Sequence, residues 1–430
     1  MRAIRCVPIA FAALTALAAT PAPAAHLTTL YSFCRQGDCN DGSVPHDVAL
    51  TSAGDILGTT QTGGTNAQGV LYQLAPPASG HTWREKILHD FCSKPDCNDG
   101  SGSFSQLNAD ANGNFFGATE DGDSDNGVVF ELSPGGGKSG WNYRAIYTLC
   151  SVANCADGQT GDGAMAIDAA GNVYGIAVNG GANGKGVVYE LSPVTTPGRK
   201  GYTQKVLYDF CAAASCGDGA NPVNGLTYAG ASSGAPYDGT SPLFGTTSAG
   251  GGHDQGVVFL LKPMENGNWN ETVIHNFCFG GDPCHDGAAP VGQGALAIDA
   301  SGALFGATSA GGANASGVIY EVKFDGSKWR ETVIYDFCTL PSCIDGMGSG
   351  NMIMGADGNL YGTSTAALFR LIPNGRHSTF EVLHQFCSQA NCTDGGNPSG
   401  NVVMDGSGTL YGATTAGGAH GQGTVFALTP

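Results

Sequence analysis

Residues 91–100 read FCSKPDCNDG, and the pattern they carry, F/L-C-x4-C-x-D-G, decides how the rest of the chain is read. It recurs seven times, at Cys34/Cys39, Cys92/Cys97, Cys150/Cys155, Cys211/Cys216, Cys278/Cys284, Cys338/Cys343 and Cys387/Cys392. Only the fifth pair has an extra residue between its cysteines, and only Cys6 lies outside the pattern. Successive copies are mostly close to sixty residues apart. A fixed period of that size marks a repeat architecture, in which each unit buries its apolar face against the next.

Each period holds four strand-like segments; in the second copy they are SFSQLNAD, NFFGATE, GVVFELSP and WNYRAIYTL. The first two are joined by the turn Asp110–Gly113, where Asp accepts backbone hydrogen bonds and Gly takes a positive φ. Similar turns recur at Asp168–Gly171, Asp299–Gly302 and Asp405–Gly408. A glycine-rich loop such as TTSAGGGHDQG (246–256) joins the second and third segments, and a variable loop joins the third and fourth. Four antiparallel strands per unit without a helical period predict an all-β chain, a seven-bladed β-propeller. The opening LTTLYSFC (27–34) reads as a lone fourth strand, and the last unit ends on a third strand, GTVFALTP (423–430). The N-terminal strand is therefore expected to complete the last blade and close the ring, with 25–430 as one domain.

Residues 1–24 read as a secretory signal: Arg2 and Arg5, then an apolar run, then Ala22-Pro-Ala24. Cys6 leaves with it, and seven pairs remain, as an oxidising compartment favours. No stretch is apolar enough for a membrane span. A net charge of −18 argues against nucleic acid, whose leading affinity term is cationic.

The segments LFGTTSAGGGHDQGVVFLL (243–261), LFGATSAGGANASGVIYEV (304–322) and LYGATTAGGAHGQGTVFAL (410–428) resemble the GloVer tandem-repeat family of secreted bacterial proteins. The resemblance covers essentially all of 25–430 and implies the repeat fold. Members typically carry a C-terminal surface anchor; this sequence stops at its last repeat, so release is expected. The family implies no assigned activity.

In a propeller the cysteine loops and the glycine loops share one face. As disulfides, each cysteine pair restricts the unfolded chain by roughly 2 kcal/mol. As metal ligands they would need partners from elsewhere, and His285 is the only histidine inside a copy, so disulfides are expected. The repeated Asp41, Asp99, Asp157, Asp218, Asp286, Asp345 and Asp394 read first as turn caps and second as a ring collecting cations or sugar hydroxyls. These aspartates gather on the cysteine face while Lys138, Arg199, Lys200, Lys328 and Arg330 sit opposite, so a dipolar disc, acidic on the cysteine face, is expected.

A symmetric ring concentrates function where one copy breaks the pattern. The second unit replaces its glycine loop by Glu120–Gly127, where Asp121, Asp123 and Asp125 resemble the start of a calcium loop, although Leu132 stands where the closing acid would be. The sixth unit loses the loop (LYGTSTAALFRL, 360–371), which predicts a notch bordered by Asn314 and His420. The fourth carries an insertion, GASSGAPYDGTSP (230–242), with Tyr237 and Asp238 expected exposed as surface decoration. His46, His253, His285 and His420 are placed on cysteine-face loops as ligand-binding candidates, with Asp41, Asp99 and Asp286. His89, His275 and His384 share a position with Tyr147, Tyr208 and Tyr335 and read as packing residues. The expected function is a monomeric, secreted, non-catalytic propeller that binds a glycan or surface protein on the cysteine face. The alternative is a polysaccharide-active lyase or hydrolase using His and Tyr of that face.

Overall fold

The computed structural model describes residues 25–429 except 36, 81, 104, 123–125, 136–138, 196–200, 282, 293 and 349–350. The expected signal, Asp123, Asp125, Lys138, Arg199 and Lys200 fall outside the described residues. Consecutive strands pair antiparallel in short meanders. The first unit runs Ser43–Leu50, Ile56–Thr62, Val70–Ala75 and Arg84–Asp90. The third strands, read as continuous apolar runs, are buried on both faces: Val128, Val129, Phe130 and Leu132 have no exposed surface.

The strands group into six sheets, because the third and fourth units merge into one of eight strands. The junction is one parallel bridge between Ala164 and Gly225. Gly225 has φ +75°, and a Cβ there would lie 2.1 Å from the Ala164 nitrogen, so only glycine permits this approach. The expected pairing of the chain's ends is present: His26–Ser32 runs antiparallel to Thr424–Thr429, with His26 opposite Thr429.

The cysteine loops add a short helical turn to the expected all-β pattern. In six of them the second cysteine ends a single turn of 3-10 helix: Gly37–Cys39, Pro95–Cys97, Ala153–Cys155, Ala214–Cys216, Pro341–Cys343 and Ala390–Cys392. The turn tightens because two residues in succession take positive φ. The middle one is Asp38, Asp96, Asn154, Ser215, Ser342 or Asn391, short polar types of which Asp and Asn tolerate that region best. The cysteine after it follows: Cys39, Cys97, Cys155, Cys216, Cys343 and Cys392 have φ of 53°, 51°, 51°, 53°, 56° and 51°. So short a turn has no hydrophobic period to read, since it is three residues long and has no buried residue.

The core lies between units rather than within them. Phe116 and Val129 of the second unit pack with Met165, Val173 and Tyr189 of the third. Tyr31, Ala413 and Val425 pack with Val48, Ile56 and Tyr72 of the first unit, across the chain's ends. Among the described residues no helix is long and apolar enough to cross a membrane.

Two further side chains depart from expectation. Tyr237 is 1% exposed rather than surface decoration, because its ring packs against Tyr174 and Tyr228; Asp238 is exposed as expected. His46 lies within the strand Ser43–Leu50, 6% exposed, and not in a loop.

Candidate functional site

Every cysteine pair is at disulfide distance. Cys34–Cys39, Cys92–Cys97, Cys150–Cys155 and Cys211–Cys216 have Cα atoms 3.9 to 4.0 Å apart. Cys278–Cys284, Cys338–Cys343 and Cys387–Cys392 span 4.0 to 4.3 Å. In six of the loops the helical turn brings the second cysteine back toward the first, two residues before the aspartate. Those aspartates turn inward: Asp41, Asp99 and Asp345 are fully buried, and Asp157, Asp218 and Asp394 nearly so.

Asp157 shows why. Its Oδ2 accepts from Ser151 N–H (2.9 Å), Ser151 Oγ (2.7 Å) and the Tyr147 hydroxyl (2.8 Å), and its Oδ1 accepts from Val152 N–H (3.2 Å). The same residue position supplies Tyr31, Tyr208 and Tyr335 to Asp41, Asp218 and Asp345. Histidine replaces it at His89, His275 and His384, facing Asp99, Asp286 and Asp394 at 3.0 to 3.2 Å. The repeated aspartates therefore act as the expected turn caps and hold the loops together, and the burial of six of them leaves no ring of carboxylates at the surface in those six loops. Burial pushes Asp99 up, but bonds from Ser93 and Lys94 N–H and the nearby His89 outweigh it, leaving the carboxyl below its ordinary range.

The fifth loop breaks the pattern. Its longer Cys278–Cys284 span brings Phe279 N–H (3.0 Å) and His275 to Asp286 Oδ2, while Asp286 Oδ1 is buried without a hydrogen-bond partner. In the second, third, fourth, sixth and seventh loops that oxygen accepts a backbone N–H. Asp286 borders a groove of about 590 Å³ with His285, Glu331 and Arg376. Glu331 Oε1 is likewise buried and partnerless. Burial, and then the Asp286 charge, push its carboxyl up to about 8 against the opposing pull of Arg376. The groove thus offers an ionisable acceptor, a carboxyl able to donate or accept, a guanidinium, and an exposed imidazole at His285.

The other expected residues do not join it. His253 and His420 are exposed on separate glycine loops, and His46 Nδ1 lies 3.2 Å from Ser399 Oγ. Asp121 is exposed, with its backbone paired to Ser101. Among the described residues no three His, Cys, Asp or Glu are grouped to hold a metal. The sixth unit's connection is tight, Ser364 Oγ accepting Ala367 N–H (3.0 Å), and Asn314 is tied to Phe337 O and Thr339 Oγ1.

Sequence reasoning missed a second pair of carboxyls, on the first strands. Asp47 Oδ1 accepts Asn401 N–H (2.6 Å), its Oδ2 has no hydrogen-bond partner, and burial pushes the carboxyl up to about 7. Asp162 is raised to about 7 for the same first cause. The readable signal was an acid inside a Gly/Pro-rich strand start, which turn chemistry masks.

The Gloeobacter/Verrucomicrobia repeat model matches residues 18–241 and 232–430. The chain belongs to the Gloeobacter/Verrucomicrobia repeat family. No curated protein matches this family member. Among solved structures it is similar to an ancestral GH74 enzyme, at 12% identity and TM-score 0.55, over 90% of this chain and 47% of that one. It is also similar to the extracellular domain of a protein described as a hybrid two-component system from B. thetaiotaomicron, at 10% identity and TM-score 0.51, over 93% of this chain and 39% of that one. The chain spans less than half the length of either. At such identities the likeness concerns the fold alone, a propeller-like all-β repeat.

Proposed function

We propose that this repeat protein is a secreted seven-bladed β-propeller, mature from residue 25, that binds an extracellular glycan without turning it over. Core clusters between consecutive units and the paired ends support the ring. One observation carries the binding reading: Asp286 Oδ1 and Glu331 Oε1, both buried and partnerless, share a groove with Arg376. Two acceptors beside a guanidinium match a ligand that presents several hydroxyls, each able to donate and accept. A surface protein with hydroxyl-rich side chains would use the same groups more sparsely.

The elevated Glu331 carboxyl beside Asp286 also favours a second reading. A carboxyl that burial holds protonated toward neutrality, with a second carboxyl beside it, is an arrangement from which a general acid–base pair can be built. Incubating the mature protein with acidic and neutral polysaccharides, and following reducing ends and unsaturated uronides, separates the two. Retention on one polymer with no product supports binding; product from any of them replaces the binding reading by the enzymatic one.

Calcium at Asp121, Asp123 and Asp125 belongs to this proposal as a separate structural site. Asp123→Ala then lowers the melting temperature in calcium and not in chelator; an equal loss in both removes the ion from the account.

A further inference from the structure

The first strands converge at the ends remote from the cysteine loops, and there they line a second, half-open cavity of about 610 Å³. The convergence is close: a Cβ at Gly292 would lie 2.2 Å from Asn351 Oδ1 and 3.0 Å from Asn224 Oδ1. Four of the chain's seven methionines, Met165, Met352, Met354 and Met404, line this cavity. They come from three different units, and Leu226, Leu296 and Ile298 extend the apolar wall.

One wall comes from the insertion found only in the fourth unit: Ala231, Ser232, Gly234, Ala235 and Pro236 all border the cavity. That wall is anchored. Tyr237 N–H donates to Ile167 O (2.9 Å), and its hydroxyl donates to Ser241 O (2.6 Å). Tyr228 hydroxyl donates to Ala235 O (2.7 Å), fixing the segment from the other side. Asp238 accepts the Ser241 hydroxyl and N–H and the Thr240 N–H, which hold its carboxyl down to about 2. A departure from the repeat that is buttressed in this way, and that shapes a cavity, is more than a tolerated loop.

The lining sets the ligand chemistry. Its one charged side chain is Asp110, and that carboxylate already accepts from Asn112 N–H (2.8 Å), Asn114 N–H (2.9 Å) and Asn114 Nδ2 (2.8 Å). Gln106, Asn108 and Asn401 bring amides, and Thr227, Tyr228 and Ser232 hydroxyls, to a wall otherwise built of apolar side chains. Unbranched thioether side chains adapt to irregular apolar shapes, and the volume lies within the range of small-molecule sites. We propose that this cavity is a binding site for an uncharged, largely apolar small molecule with a hydrogen-bonding group, independent of the glycan groove.

The test titrates the mature protein with N-phenyl-1-naphthylamine, an uncharged probe that fluoresces in apolar sites, alongside Ala235→Trp and Met354→Gln. Ala235 is exposed on the anchored wall, so a tryptophan there narrows the mouth without entering the core. The expected result is one saturable site, weakened about tenfold or more by Ala235→Trp and weakened by Met354→Gln. Arg376→Ala, in the glycan groove, leaves probe binding unchanged. Failure of the probe to saturate, or wild-type affinity in both cavity variants with wild-type circular dichroism, overturns the site.

Discussion

The smallest repeated device is one aspartate joined to one aromatic ring. Asp157 gathers two backbone N–H groups, the Ser151 hydroxyl and the Tyr147 hydroxyl while 2% exposed. Removing a buried acceptor strands its donors, which costs more than each bond contributes. Asp157→Ala is therefore expected to destabilise by about 3 kcal/mol and Tyr147→Phe by about 1 kcal/mol, read from denaturant midpoints. Equal and negligible losses would show the carboxylate to be dispensable. The cap itself was legible, because Asp before Gly after a cysteine reads as a turn. Its aromatic partner was not identified, although Tyr or His stands three residues before every first cysteine. The pairing crosses ten residues and a disulfide, beyond the reach of local turn rules.

At the scale of the element, neighbouring units meet through one position of the fourth strand. Tyr143 hydroxyl donates to Asp99 O (2.7 Å) and Gln204 Nε2 to Asp157 O (2.8 Å). Glu85, Glu271 and Glu331 occupy the same position, each with a buried, partnerless Oε1. Burial first, then nearby aspartates, push these carboxyls up to about 7, 8 and 8. Protonated, they can donate as Tyr143 and Gln204 do. The folded chain holds protons that the unfolded chain releases near pH 4.5. This contribution is complete below about pH 4.5 and lost as pH rises through 7 to 8. Glu271→Gln keeps a donor at every pH, so its melting temperature is expected to exceed that of the wild type at pH 9 and to approach it at pH 5. A constant offset between the two curves would contradict the protonated contact. The strands were legible from their apolar runs. The buried Glu was not, since an exposed fourth strand and a buried one carry the same alternation.

At the scale of the whole molecule, the sixty-residue period announced the repeat fold, and the open ends announced their pairing. Six sheets rather than seven reflect one local event, the Ala164–Gly225 bridge that only a glycine backbone allows. Deleting residues 25–33 leaves Thr424–Thr429 as an open edge and removes Tyr31 and Phe33 from the cluster that spans the ends. Lower melting temperature and association in size-exclusion chromatography are expected; a monomer of unchanged stability would show that the terminal strand does not close the molecule. The site was legible only in part. His285 and Asp286 were two of seven candidates, in the one loop with an extra residue between its cysteines, whereas Glu331 and Arg376 reach the groove from residues far along the chain and carry no local signature.

The measurement that tests the central claim most directly is isothermal titration of a retained oligosaccharide into the mature protein, Glu331→Gln and Arg376→Ala. The account predicts one saturable site in the wild type, with affinity at least about tenfold weaker in each variant. Unchanged affinity in both variants would contradict it and move ligand recognition away from this groove.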